Sequence, residues 1–245
     1  MHQVGSWQAL IKWLTDYLAQ AEKHDLKQRR GYCLAMFGEI DFQRGQYPEA
    51  RELIERALSL YSQTGDHKGV GRCRAQLARI AIYAGDYGQA EELSRQLADH
   101  FGRLGEERDR IQVENLLGLV YLNTGRYQQA LETFSRALAI SERTGFFQIT
   151  ANLLGNIGSI HYDKGRFREA AEYYRRSLEV SRKTGDIFTE YYALYNLASA
   201  QAGLGDHQQA LEMFRRDLEL ARQLGDRPGE QGLIKEIGQL ESCQR

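Results

Sequence analysis

The sequence predicts an all-α solenoid of stacked helix hairpins, and three observations carry that expectation. A Gly-X-aromatic marker followed by alanine recurs every forty residues: Gly45-Gln46-Tyr47 with Ala50, Gly85-Asp86-Tyr87 with Ala90, Gly125-Arg126-Tyr127 with Ala130, Gly165-Arg166-Phe167 with Ala170, and Gly205-Asp206-His207 with Ala210. A second glycine, at Gly65, Gly105, Gly145, Gly185 and Gly225, cuts each period into two helix-length segments. Within the segments apolar residues recur at three and four rather than two, and β-branched residues are sparse, which favours helix over strand. A fixed period of this length means repeats of one supersecondary unit each, stable only when neighbours stack.

Composition narrows the class. With 42% hydrophobic and 27% charged residues over 245 positions, the chain is too apolar for disorder. Its 32 basic and 33 acidic residues nearly cancel, which leaves no electrostatic case for a nucleic acid or an anionic membrane as partner. The first residues, MHQVGSWQAL, have neither a basic start nor an apolar core, and apolar runs are short, so a cytoplasmic protein is expected. Cys33, Cys73 and Cys243 are an odd, widely spaced set that defines no disulfide framework and no metal site.

Taken in order, residues 6–24 are expected to form a lone helix of the second type carrying Trp7 and Trp13. Gly5-Ser6-Trp7 keeps the marker register there, with Leu10 in the alanine position. Residues 1–245 read as a single array: an N-terminal half-repeat at 1–26, repeats at 27–66, 67–106, 107–146, 147–186 and 187–226, and a capping helix at 227–245. That last segment gathers Leu233, Ile234, Ile237 and Leu240 on one side, as a cap requires. At each second glycine a left-handed C-cap ends one helix, and Asp66, Glu106, Asp186 or Asp226 beside it starts the next. The unpaired first helix points either to a fragment of a longer protein or to a self-association edge.

The columns place the core. Phe37, Leu77, Leu117, Ile157, Leu197 and Ile237 share one position, each followed by a small residue: Gly38, Ala78, Gly118, Gly158, Ala198 or Gly238. The marker alanines provide the matching notch on the second helix. Leu58, Ala98, Leu138, Leu178 and Leu218 are expected to complete the seam. Burying one leucine contributes roughly 1.5 to 3 kcal/mol, so several seams per repeat are needed against the ordering entropy.

At these residues the chain resembles the tetratricopeptide repeat family. Gly118, Gly125, Tyr127 and Ala130 meet that family's spacing of a small first-helix residue, a Gly-X-aromatic turn and an alanine twelve residues after the small position. Five in-register copies cover nearly the whole chain. The period is forty rather than the common value of about thirty-four, and the family's terminal proline is replaced by Ser62, Gly102, Glu142, Arg182 and Arg222. Both departures lengthen the helices, and the result looks like the subclass of Leu-Gly-Asn scaffolds, kinesin light chains and sensor domains of bacterial regulators. A literal Leu154-Gly155-Asn156 lies three residues out of that subclass's register and carries no weight.

The resemblance implies a right-handed superhelical α-solenoid whose first helices line a concave groove. Carried over position by position, the groove set is Tyr32, Glu39, Arg72, Arg79, Gln112, Asn115, Asn152, Asn156, Ser159, Tyr162, Tyr192, Tyr195, Asn196 and Ser199. Amides both donate to and accept from an extended peptide backbone, and tyrosines give flat contact area at low entropic cost. The family's lysine and asparagine clamp for a terminal carboxylate is not reproduced. Arg72, Arg79, Asn115, Asn156 and Asn196 nonetheless offer donors to an acidic side chain. The expected function is a non-catalytic protein- or peptide-binding scaffold. The alternative is a peptide- or ligand-sensing module of a bacterial signalling or transcription regulator, whose effector would lie outside this chain.

No catalytic or cofactor constellation is legible. The six histidines show no metal spacing, and no phosphate loop, nucleophile elbow or CxxC occurs. His161 reads as a packed histidine, His207 as a substitute for the marker aromatic, and Cys33 with Cys73 as small buried hydrophobes.

Other features break the repeat rule. Glu52, Glu132, Glu172 and Glu212 precede Arg56, Arg136, Arg176 and Arg216 by four residues, which places acid and base on one helix face: a solvated face is expected, with a basic docking strip along the second helices as the alternative. Arg74 and Glu114 interrupt a leucine column and are expected to pair between repeats two and three. Phe146, Phe147, Ile187 and Phe188 crowd two inter-repeat turns, where they either tuck inward or form an exposed apolar edge.

Overall fold

The computed structural model describes residues 2–102 and 107–243. The expected cap residues Gly105 and Glu106 lie outside the described residues, as do the side chains of Trp7 and Cys243. Twelve helices run through the described residues: α1 (His2–Lys23), α2 (Lys27–Gln43), α3 (Tyr47–Thr64), α4 (His67–Tyr83), α5 (Tyr87–Gly102), α6 (Glu107–Asn123), α7 (Tyr127–Thr144), α8 (Phe147–Asp163), α9 (Phe167–Thr184), α10 (Ile187–Gly203), α11 (His207–Leu224) and α12 (Arg227–Cys243). No strand occurs among the described residues, so the all-α class and its helix-hairpin repeat stand as expected. Gly5 lies inside α1 and makes no turn, so that copy of the marker is helical.

The two glycine columns end the helices as the spacing predicts. Gly65, Gly145, Gly185 and Gly225 sit at φ between 68° and 73° and cap α3, α7, α9 and α11 in the left-handed region. Asp25 stands in the same column one period earlier and holds φ 48°, which aspartate tolerates better than most side chains. Asp66, Asp186 and Asp226 then open the next helices: each carboxylate accepts from the backbone N–H three residues on, at 2.8, 3.1 and 3.0 Å. Asp86 and Asp206, in the middle of the marker, do the same for α5 and α11, at 3.1 Å each.

Packing confirms the large-against-small rule and shifts one column. Ala50, Ala90, Ala130, Ala170 and Ala210 are all fully buried. A Cβ added to Gly38 would stand 2.6 Å from Ile54 Cδ1, and one on Gly158 2.6 Å from Tyr174 Cε1, so these glycines admit the facing side chains. The closed seam on the second helices is Ala57, Leu97, Ala137, Ser177 and Asp217, one residue before the expected set. Of that set Leu138 and Leu178 are buried, while Leu58, Ala98 and Leu218 are only partly so. The reason is helical phase: from Ala50, the positions facing the partner helix are Ile54, Ala57 and Tyr61, and Leu58 lies beside that stripe.

The chain divides into two compact units, residues 1–124 and 125–245. In the first, Leu34, Ala50, Ile54, Ala57, Tyr61, Val70, Cys73 and Leu77 form one core cluster across α2, α3 and α4. Burial pushes the Cys73 thiol up to about 12, which keeps it an unreactive core residue as expected. In the second, Ala170, Tyr174, Leu178, Ala193, Leu194 and Leu197 join α9 to α10, and Tyr191, Ala210, Phe214, Ala221 and Leu233 join α10, α11 and α12.

Candidate functional sites on the first helices

Helical phase sets which first-helix residues reach solvent. With the 33, 34, 37 and 38 positions turned inward, the column Tyr32, Arg72, Gln112, Asn152 and Tyr192 is exposed throughout. In the N-terminal unit this column borders a pocket of about 290 Å³ lined by Tyr32, Ala35, Met36, Glu39, Tyr61, Arg72, Cys73, Gln76, Arg79 and Gln112. Five of the expected groove residues therefore meet in one place.

The two arginines of that pocket differ in freedom. Arg79 donates to Glu39, and its guanidinium lies 4.4 Å from the centre of the Phe42 ring. Glu39 also accepts from Gln76 at 3.2 Å and Gln43 at 3.0 Å. Burial alone would raise the Glu39 carboxyl, but the Gln43 bond, the Arg79 charge and the remaining donors outweigh it and hold the group low. Arg72 is exposed and has no ion-pair partner among the described residues, so its donors face solvent beside Tyr32 and Gln112.

In the C-terminal unit a second pocket, of about 370 Å³, lies between α10 and α12. Its walls are Tyr191, Tyr192, Tyr195, Asn196, Gly229, Gly232, Leu233 and Glu236. Tyr192 is 61% exposed and Tyr195 packs against Phe214 with ring centroids 5.6 Å apart. Tyr191 is buried and donates its O–H to Asp226 at 3.2 Å.

The other expected groove residues do not line either pocket. Ser159 and Ser199 donate back to the carbonyls of Gly155 and Tyr195, at 3.1 and 3.0 Å, as helical serines do. Asn152 accepts from Thr189 Oγ1 at 3.3 Å. Tyr162 packs edge-on to Phe167 at 5.2 Å and belongs to the repeat corner. Asn115 on α6 and Asn156 on α8 are partly buried.

Two models of the tetratricopeptide repeat match the sequence, one over residues 33–101 and 109–183 and the other over 193–228. The chain belongs to the tetratricopeptide repeat family. No curated protein matches it by sequence. Among solved structures it is similar to the Rap conjugation gene regulator of the plasmid pLS20 in complex with a Phr peptide, with TM-score 0.77, 18% identity, 91% of this chain and 61% of that one. A Rap protein complexed with competence and sporulation factor gives TM-score 0.76 and 15% identity over 93% of this chain and 69% of that one. A kinesin light chain with nearly identical repeats from Podosopora anserina gives 0.60 and 21% identity, over 79% and 96%. These likenesses establish the tetratricopeptide fold.

Among the described residues no ion pair joins Glu52 to Arg56, Glu172 to Arg176 or Glu212 to Arg216; Glu132 accepts from Gln128 at 2.9 Å, and Arg176 reaches Glu142 on α7 at 2.9 Å. All eight residues are exposed, so solvent competes and the face is solvated as expected. Arg74 and Glu114 are both half-buried, and among the described residues no ion pair between the two is seen. Phe147, Ile187 and Phe188 are exposed and only Phe146 is partly buried, so these turns present an apolar edge. His161 is half-buried and stacks on Tyr173 at 5.3 Å, and desolvation lowers its pKa.

Among the pocket residues outside the expected groove set of this tetratricopeptide array are Met36, Gln76 and Glu236. They occupy the column of Asn156 and Asn196, so the forty-residue register alone carries the signal that finds them.

Proposed function

We propose that the chain is a non-catalytic scaffold that binds a peptide segment or a partner protein through the exposed side of its first helices. The observation that carries this reading is the N-terminal pocket, where Arg79 is held by Glu39 while Arg72, beside Tyr32 and Gln112, has no ion-pair partner among the described residues. A guanidinium in that setting offers a planar fork to a carboxylate, and the flanking phenol and amide supply backbone contacts. An acidic side chain of an extended or helical peptide is the ligand that fits, with the aromatic and arginine positions dominating affinity.

A second reading has the array sense a peptide and control a separate effector. It is supported by the likeness to the Rap conjugation gene regulator, whose structure holds a Phr peptide. Trp13, 52% exposed and stacked on Tyr17 at 5.2 Å, is the proposed contact for self-association through α1. Sedimentation showing a monomer at high concentration would remove that contact.

Selection of peptides from a displayed library tests the main reading. Ligands enriched on the wild-type chain are expected to lose binding to Arg72→Ala and Tyr192→Ala variants of unchanged circular dichroism. Ligands held equally by all three chains would sink it.

A further inference from the structure

The two pockets occupy the same place in the repeat, and their charge is reversed. Four periods after Tyr32 stands Tyr192, but Ala35 becomes Tyr195, Arg72 becomes Gly232 and Gln76 becomes Glu236. The C-terminal pocket therefore has neither of the arginines, carries Glu236 as its carboxylate where the N-terminal pocket has Glu39, and gains an aromatic ring. Glu236 is the one charged side chain among its lining residues. At Gly232 even an added Cβ would meet nothing within 4 Å, so the space that the arginine would fill is open.

The surroundings reinforce the sign. Asp226 stands behind Tyr191 and takes its hydroxyl proton in a hydrogen bond. Two arginines of α11 are committed to other carboxylates, Arg222 to Glu230 and Arg215 to Glu241, each at 2.8 Å. Three tyrosines with an acidic wall and no cation in the lining make a place for positive charge.

We propose that the pocket between α10 and α12 binds a cationic side chain, a guanidinium or ammonium carried by a peptide, against Tyr192 and Tyr195 with Glu236 as its carboxylate partner. The inference rests on the first helices being the ligand-facing side. Glu236 accepts from the cation N–H groups, Asn196 offers its amide to the adjoining peptide unit, and the tyrosine rings cover the charge from water. A volume of about 370 Å³ is large enough for a long cationic side chain.

The test is an NMR titration of the full chain with tyrosine rings labelled, using N-acetyl-arginine methylamide, its citrulline counterpart and N-acetyl-glutamate methylamide as probes. The arginine probe is expected to shift the Tyr192 and Tyr195 resonances saturably. The citrulline probe, of the same shape without charge, is expected to bind roughly tenfold more weakly. Glu236→Gln should remove most of the difference while leaving the Tyr174 resonance unmoved. Equal affinity for arginine and citrulline, no saturable shift, or an unchanged preference in Glu236→Gln would each overturn the proposal. A chain that still selects peptides from the library but shows no such preference loses the cation assignment alone. Selected peptides indifferent to every first-helix variant would remove the broader reading instead.

Discussion

Gly71 and Phe101 fit together only because Gly71 has no side chain: a Cβ there would stand 2.5 Å from Phe101 Cζ. The same exchange recurs within each unit in a different form. Gly31 faces Tyr61, with ring atoms 3.2 Å from an added Cβ, whereas in the C-terminal unit the columns read Ala151 with Ser181 and Tyr191 with Ala221. Bulk is moved from the second helix to the first, and the space between them stays filled.

Gly71→Ala should therefore destabilise the N-terminal unit by about 1 to 3 kcal/mol through overpacking, because the Phe101 ring must leave its place. Adding Phe101→Ser, the residue type found in that column at Ser181, should recover part of the loss for Gly71→Ala. A double-mutant cycle by urea denaturation measures this. Additive effects of the two substitutions would show that no such exchange exists.

Gly125 poses the opposite case. Its φ of 73° lies in the left-handed region, and an added Cβ would meet nothing within 4 Å, so the cost of a side chain is backbone strain alone. Gly125→Ala is expected to lose about 1 to 2 kcal/mol. Gly125→Asn should lose less, since Asp25 already holds a positive φ in this chain. Thermal melts of the two variants rank them, and equal melting temperatures would contradict the argument. The marker that repeats most faithfully thus serves the turn and not the ligand.

The helix ends were legible because glycine and aspartate act locally, and every described cap that spacing predicted is present. The seam was misplaced by one residue because leucine was followed in preference to phase, although Ala57 and Ser177 mark the buried side. Asp217 was invisible for a related reason: in Arg215-Arg216-Asp217-Leu218 an acid among charges reads as surface. The pockets were half legible, since choosing Asn, Tyr and Arg within columns found Arg72, Tyr192 and Asn196 but passed over Met36, Gln76 and Glu236. Ion pairs such as Arg79 with Glu39 depend on side-chain conformations that no spacing rule encodes.

Asp217 predicts an unusual pH dependence. It stands where Ser177, one repeat earlier, donates to the Ala151 carbonyl at 2.7 Å, and burial pushes its carboxyl up to about 8. The folded chain keeps a proton that the unfolded chain releases near pH 4. The contribution of this group is therefore complete below about pH 4 and is lost as pH rises toward about 8, with a slope of up to about 1.4 kcal/mol per pH unit. Asp217→Ser should stabilise the protein, and by more at about pH 8 than at about pH 5. Urea melts of both chains at the two values check it, and a difference independent of pH would show that Asp217 does not titrate in this way.

Arg72 separates binding from folding. Its side chain is exposed and unpaired among the described residues, so Arg72→Ala should change stability by no more than about 0.5 kcal/mol. Removing a charge-assisted contact to a bound carboxylate should nevertheless weaken an acidic peptide by about 1.5 to 3 kcal/mol, roughly tenfold to a hundredfold. Arg79→Ala is predicted to behave differently, because it strips Glu39 of its cation and uncovers Phe42, and so lowers stability as well as affinity. Calorimetric titration of one library-selected acidic peptide into the three chains, beside their urea melts, distinguishes the two arginines. A stability loss in Arg72→Ala as large as in Arg79→Ala, or an affinity unchanged by it, would place the acidic contact elsewhere on the first helices.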